Sequence, residues 1–95
     1  MMVLVVYDVS DTAKRTRLAK TLEKMGLRRI QRSAFIGSMS YARALDVARA
    51  SEAVIDKETD VVHVVPLCHS DWRKTIVVGT PKWASGAPAH SVIAR

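Results

Sequence analysis

Ninety-five residues, 48% hydrophobic and 25% charged, suit one domain with a modest core, and a chain this short gains from burying surface against a second copy. No apolar segment is long enough to span a membrane, Met1-Met2 runs straight into apolar residues with no basic leader, and the single cysteine, Cys68, has no internal disulfide partner, so a reduced cytoplasmic setting is expected. The net charge of +6 is uneven: residues 1–32 carry eight Lys/Arg against Asp8, Asp11 and Glu23, which favours a polyanion partner, although a solvated basic helix face has the same composition.

The run Val3-Leu4-Val5-Val6-Tyr7 predicts a buried strand over residues 2–8 that ends on Asp8. A carboxylate at that end is poorly placed for packing, but it suits a metal ligand or general base held on a rigid element. Tyr7 alternates with Asp8, so the two side chains point to opposite faces and Tyr7 reads as packing. Asp11 or Thr12 caps a helix reaching about Met25, with Leu18, Leu22 and Met25 on its apolar face and Gly26 as its stop. Residues 27–31 and 34–39 predict two short strands, with a bulge or bend at Gly37. Ser40 caps a second, Ala-rich helix reaching about Lys57, and Thr59-Asp60 leads into a strand over 61–67. Thr75 to Gly79 reads as a short fifth strand, and residues 80–95 as a tail of weak periodicity. Residues 1–79 thus form one domain with the order β-α-β-β-α-β, an α+β ferredoxin-like sandwich with two helices on one face of a four-stranded antiparallel sheet. The extra strand has no place in that minimal sheet and suits the edge of a second subunit.

Five stretches in this order resemble the CRISPR-associated protein 2 family. They are Val5-Val6-Tyr7-Asp8-Val9-Ser10-Asp11, residues 15–22, Gly26-Leu27-Arg28-Arg29-Ile30-Gln31-Arg32-Ser33-Ala34-Phe35-Ile36-Gly37, residues 62–68 and residues 73–79. The resemblance implies a homodimer of ferredoxin-like domains in which the C-terminal strand, Thr75–Val78, crosses to the partner's sheet. It also implies metal-dependent phosphodiesterase activity on single-stranded RNA or double-stranded DNA, and a scaffold role in which the dimer holds duplex DNA and bridges copies of an integrase subunit. The tail over 80–95 matches no pattern of the family.

In the terms of that resemblance, Asp8 is the catalytic and metal-holding acid, and two copies of it across a dimer axis would share one Mg²⁺ or another divalent cation. The alternative is that Asp8 caps the following helix or pairs with an arginine. Arg15, Arg17, Arg29 and Phe35 correspond to further positions tied to the family's nuclease activity. Arginine forks suit phosphate, but Arg15 and Arg17, two apart on a helix, cannot face the same way. Lys14, Arg15, Arg17, Arg28, Arg29 and Arg32 are the nucleic-acid-binding candidates; solvated surface charge is the alternative for each arginine and the favoured reading for Arg28 and Lys24. Phe35, the only phenylalanine, fits core packing as readily as a site role. Ser10 and Asp11 read as turn and cap residues that also support the site from behind.

His63 reads as a structural strand residue, His69 beside Cys68 lacks the further ligands a zinc site needs, and His90 falls in the tail. Cys68 reads as a small buried or strand-end residue, and Trp72 and Trp83 as packing or interface anchors near the fifth strand. The competing functional readings are a DNA-holding scaffold and a stand-alone or toxin-like metal-dependent endoribonuclease. A base-stacking RNA module fits less well, since no strand pair is rich in aromatics.

Overall fold

The computed structural model of the chain describes residues 1–83 and 92–94. Its organising strand is β1 (Met2–Asp8), which pairs antiparallel with β3 (Ala34–Ser38) on one side and β4 (Val61–Leu67) on the other. β2 (Arg28–Gln31) pairs antiparallel with β3, so the sheet runs β2-β3-β1-β4, the ferredoxin-like order expected from the sequence.

Alternation along β1 divides the sheet into two faces. Val3, Val5 and Tyr7 are buried in one core cluster with Phe35, with Leu18, Ala19 and Leu22 from α1 (Thr12–Lys24), and with Ala44 and Val47 from α2 (Tyr41–Glu52). Both helices therefore lie on one face. The other face carries Leu4, Val6 and Asp8, set opposite Val65, His63 and Val61 of β4. On that face Val6, in a central strand, is 39% exposed, and Val61, at the start of the edge strand β4, is 44% exposed.

The helix starts follow their caps. The Asp11 carboxylate accepts from the Lys14 backbone N–H at 2.9 Å, and the Ser40 hydroxyl accepts from that of Arg43 at 3.2 Å. Gly26 follows α1 with a φ of +95°, a conformation that favours glycine. α2 buries Ala44, Val47 and Ser51, and the Ser51 hydroxyl donates to the Val47 carbonyl at 2.8 Å, so the one buried polar side chain there is satisfied.

Several expectations differ from the structure. α2 ends at Glu52 and not near Lys57, because the N–H groups of Val54 and Ile55 both turn back to the Ser51 carbonyl. Val54 and Ile55 still pack against the core, which is why apolar periodicity runs past the helix end. The irregularity in the β2–β3 pair lies between Arg29 and Gln31, while Gly37 keeps regular register opposite Val3. Gly37 is instead a point of close approach, since a Cβ there would lie 3.1 Å from Leu27 Cγ and 3.2 Å from the Gly26 carbonyl oxygen. A short helix, α3 (His69–Arg73), follows β4, and Cys68 is exposed, its sulfur accepting from the Asp71 N–H at 3.4 Å as the cap of that helix.

The fifth strand, β5, is only Val77–Val78, and it pairs in parallel with β6 (Val92–Ala94) rather than with the main sheet. β6 falls in the stretch expected to be a tail; the rest of that stretch beyond Trp83, His90 included, lies outside the described residues.

Gly37→Ala tests the close approach. The added methyl must displace the buried Leu27 or its backbone, so a loss on the order of 1–3 kcal/mol is expected in denaturant unfolding, with β2 and β3 most affected.

Candidate functional site

Asp8 is the last residue of β1, exposed, and paired in register with Val61. Among the described residues its carboxylate has neither a hydrogen bond nor an ion pair, so it neither caps α1 nor binds an arginine. It lies on the helix-free face of the sheet, at the end of the apolar row Leu4 and Val6. No group of three or more His, Cys, Asp or Glu able to hold a metal occurs among the described residues. Asp8 is therefore not one of such a group, and it fits Mg²⁺ only as one part of a shared, largely hydrated site.

The loop after Asp8 is held tightly. Arg15 Nη1 donates to the carbonyls of Val9 and Ser10, both at 2.9 Å, and Nη2 donates to the Thr12 hydroxyl at 2.9 Å. These bonds fold the half-buried Arg15 side chain back onto the loop that precedes its own helix. The Ser10 N–H donates to Asp60 Oδ1 at 3.1 Å, which ties this loop to the start of β4. The Asp56 N–H, at 3.0 Å, and then the Ser10 N–H hold the Asp60 carboxyl below the usual carboxylate range.

Arg17 projects to solvent from the opposite side of α1, so the two arginines do diverge. Arg17, Lys20 and Lys24 form an exposed basic stripe, with Lys14 half-buried at the first turn. Arg28 and Arg32 are exposed on and beside β2. Arg32 offers its carbonyl to the Tyr7 hydroxyl only at a long 3.5 Å.

Arg29 has a different setting. Its guanidinium carbon lies 5.1 Å from the centroid of Phe35 and 5.6 Å from that of Trp83, and its buried Nε has no hydrogen-bond partner among the described residues. Phe35 is fully buried, stacked 6.2 Å from Tyr7, and offers no surface to a ligand. The arrangement thus brings Arg29 and Phe35 together with Trp83 at the β2–β3 pair, and Arg15 together with Ser10 just after β1. A cleft of about 250 Å³, lined in part by Ile30, Trp72, Ile76 and Trp83, is bordered by none of Asp8, Arg15, Arg17, Arg29 or Phe35.

Sequence reasoning missed Asp60. An acid just before a strand reads as an ordinary turn residue, and its partner Ser10 lies fifty residues away. The Arg29–Trp83 contact had no sequence signal beyond the presence of both residues.

The chain is similar in sequence and fold to known proteins. A family model described as "CRISPR associated protein Cas2" matches residues 1–75. A protein of Archaeoglobus fulgidus, named CRISPR-associated endoribonuclease Cas2 1, is 41% identical over 78 residues, covering 82% of this chain and 83% of its own. A Thermoproteus tenax protein, named as a fusion of the CRISPR-associated endonucleases Cas1 and Cas2, is 39% identical over 64% of this chain, which is 24% of that longer protein. The crystal structure of Streptococcus pyogenes Cas2 superposes with a TM-score of 0.73 at 30% identity, covering 83% of this chain and 100% of the other.

Two expected outcomes test the local geometry. Asp60 is held below its unfolded value, so its contribution is complete above about pH 4 and is lost as pH falls through the lowered value. The Ser10 amide is therefore expected to keep its protection factor against exchange through the usual carboxylate range and to lose it only below that range, whereas in Asp60→Ala protection is already lost at neutral pH. In a Trp72→Phe background, Arg29→Leu is expected to shift Trp83 fluorescence to the red and lower stability by about 0.5–2 kcal/mol.

Proposed function

The chain belongs to the CRISPR-associated Cas2 family, and on that premise we propose that it acts in CRISPR spacer acquisition as a homodimer that binds double-stranded DNA and holds a metal-dependent phosphodiesterase centre at Asp8. The observation that carries this reading is the unpartnered Asp8 carboxylate at the end of an uncovered apolar sheet face. A second copy laid on that face buries Val6 and Val61 and brings the second Asp8 into the same site. The short β5 then crosses to the partner's open β4 edge.

In this site Asp8 holds the cation, and a bound Mg²⁺ supplies an activated water and offsets charge on the scissile phosphate. The Val9–Asp11 loop, fixed by Arg15, keeps Asp8 at a constant angle. Arg17, with its guanidinium in solvent, meets a phosphate; Lys14, Arg28 and Arg32 extend the contact along the backbone. Arg29 contributes from its place between Phe35 and Trp83, as support for the edge of the sheet.

Single-stranded RNA is the other substrate, supported by the endoribonuclease names of the relatives. The Thermoproteus tenax fusion supports a Cas1-type integrase as the protein partner. A dimer that only positions duplex DNA for that integrase is the second reading, favoured by the exposed basic stripe of α1.

With Mg²⁺ the wild-type protein is expected to cleave RNA or duplex DNA, and Asp8→Ala to reduce the rate by about 10²-fold or more, while duplex binding persists and weakens steeply with salt. Equal rates in the two proteins would sink the Asp8 centre. Integration supported fully by Asp8→Ala would leave scaffolding as the biological role. Val6→Asp is expected to turn a dimer into a monomer in light scattering; a monomeric wild type would sink the shared site.

A further inference from the structure

Two loops meet where β1 ends, residues 9–11 and residues 53–60, and Asp60 joins them. Its Oδ1 accepts from the Ser10 N–H and the Thr59 hydroxyl, each at 3.1 Å, and its Oδ2 accepts from the Asp56 N–H at 3.0 Å. The Asp60 N–H in turn donates to the Asp56 carbonyl at 2.8 Å, and Asp56 Oδ1 accepts from the Glu58 N–H at 3.0 Å. The Asp60 side chain is thus part of a closed turn. Both of its oxygens are occupied by donors, so it is built to hold backbone rather than to ligate an ion.

The peptides it holds are the ones next to Asp8. Ser10 is gripped from both sides: its N–H by the Asp60 carboxylate and its carbonyl by the Arg15 guanidinium. Charge-assisted bonds of this kind are about twice as strong as neutral ones. Asp60 also immediately precedes Val61, the cross-strand partner of Asp8. The strand that carries Asp8 and the strand beside it are therefore locked together at the point where both leave the sheet, two residues from a carboxylate that makes no bond of its own.

We infer that Asp60 is a positioning residue for Asp8: by fixing the Ser10 peptide against β4 it sets the direction in which the Asp8 carboxylate leaves the sheet. This rests on the reading of Asp8 as a cation-holding residue.

The test is a Mn²⁺ titration of the ¹⁵N-labelled full-length protein, read by paramagnetic broadening of the amides of residues 8–11. Wild type is expected to broaden selectively there, and Asp8→Ala to lose the response. Asp60→Ala is expected to need about tenfold more Mn²⁺, the lower end of the cost of losing a partner behind a ligand. Its melting temperature is expected to fall by no more than about 4–8 °C and its duplex affinity to stay close to wild type, which a general loss of structure would not allow. Asp60→Asn keeps an acceptor for the Ser10 N–H but sets an NH₂ against that of Asp56, so a smaller weakening of about threefold is expected. Asp8→Ala/Asp60→Ala should behave as Asp8→Ala alone. If Asp60→Ala responds as wild type while Asp8→Ala has lost the response, the inference fails and the Asp8 reading stands. If Asp60→Ala does not fold, an unchanged response in Asp60→Asn overturns it. A wild-type response that survives in Asp8→Ala refutes the Asp8 reading and the inference with it.

Discussion

The two-residue period of β1 is the constraint on which the rest of this structure depends. Val3, Val5 and Tyr7 must meet α1 and α2, so Leu4, Val6 and Asp8 must point the other way. A slip of one residue would bury the Asp8 carboxylate beneath the helices and expose Tyr7, at several kcal/mol for the charge alone. Packing on one face thus fixes which face carries the acid. The same alternation leaves Val6, Val61 and Val65 on an uncovered surface, although each has the chemistry of a core residue.

Around this strand, the arginines of one sequence cluster take up distinct physical roles. Arg15 spends its donors on carbonyls and a hydroxyl of the loop it follows. Arg29 lies against aromatic rings, and Arg17 stands in water. Charge counting treats the three alike; their hydrogen-bonding partners do not. A guanidinium with its donors engaged inside the protein shapes the chain, and one facing solvent is available to a phosphate.

Much of this architecture was legible in the sequence because it rests on local signals. The apolar run of β1, the Asp11 and Ser40 caps and the Gly26 stop each act within a few residues of themselves. The element order then left a single familiar sheet. What escaped depended on distant or unusual partners. Asp60 takes its meaning from Ser10, and Trp83 from Arg29. α3 starts on a cysteine sulfur, a weak acceptor seldom counted among caps. The end of α2 was hidden because Val54 and Ile55 stay apolar to cover the core after the helix has stopped. The position of Asp8 was legible, but its lack of any partner was not, since composition offered it several arginines.

β4 has a consequence for the chain on its own. It is an outer strand of the sheet, and its sequence, Val-Val-His-Val-Val-Pro-Leu, contains no lysine, arginine or acid. Outer strands of this composition are templates for indiscriminate pairing, and most proteins protect them with charge. Here Pro66 is the built-in interruption, and it lies near one end, leaving Val61 to Val65 as an unbroken run. A newly made chain therefore faces aggregation until something occupies that edge. A partner strand on that edge would therefore protect solubility, a demand on the chain separate from any chemistry.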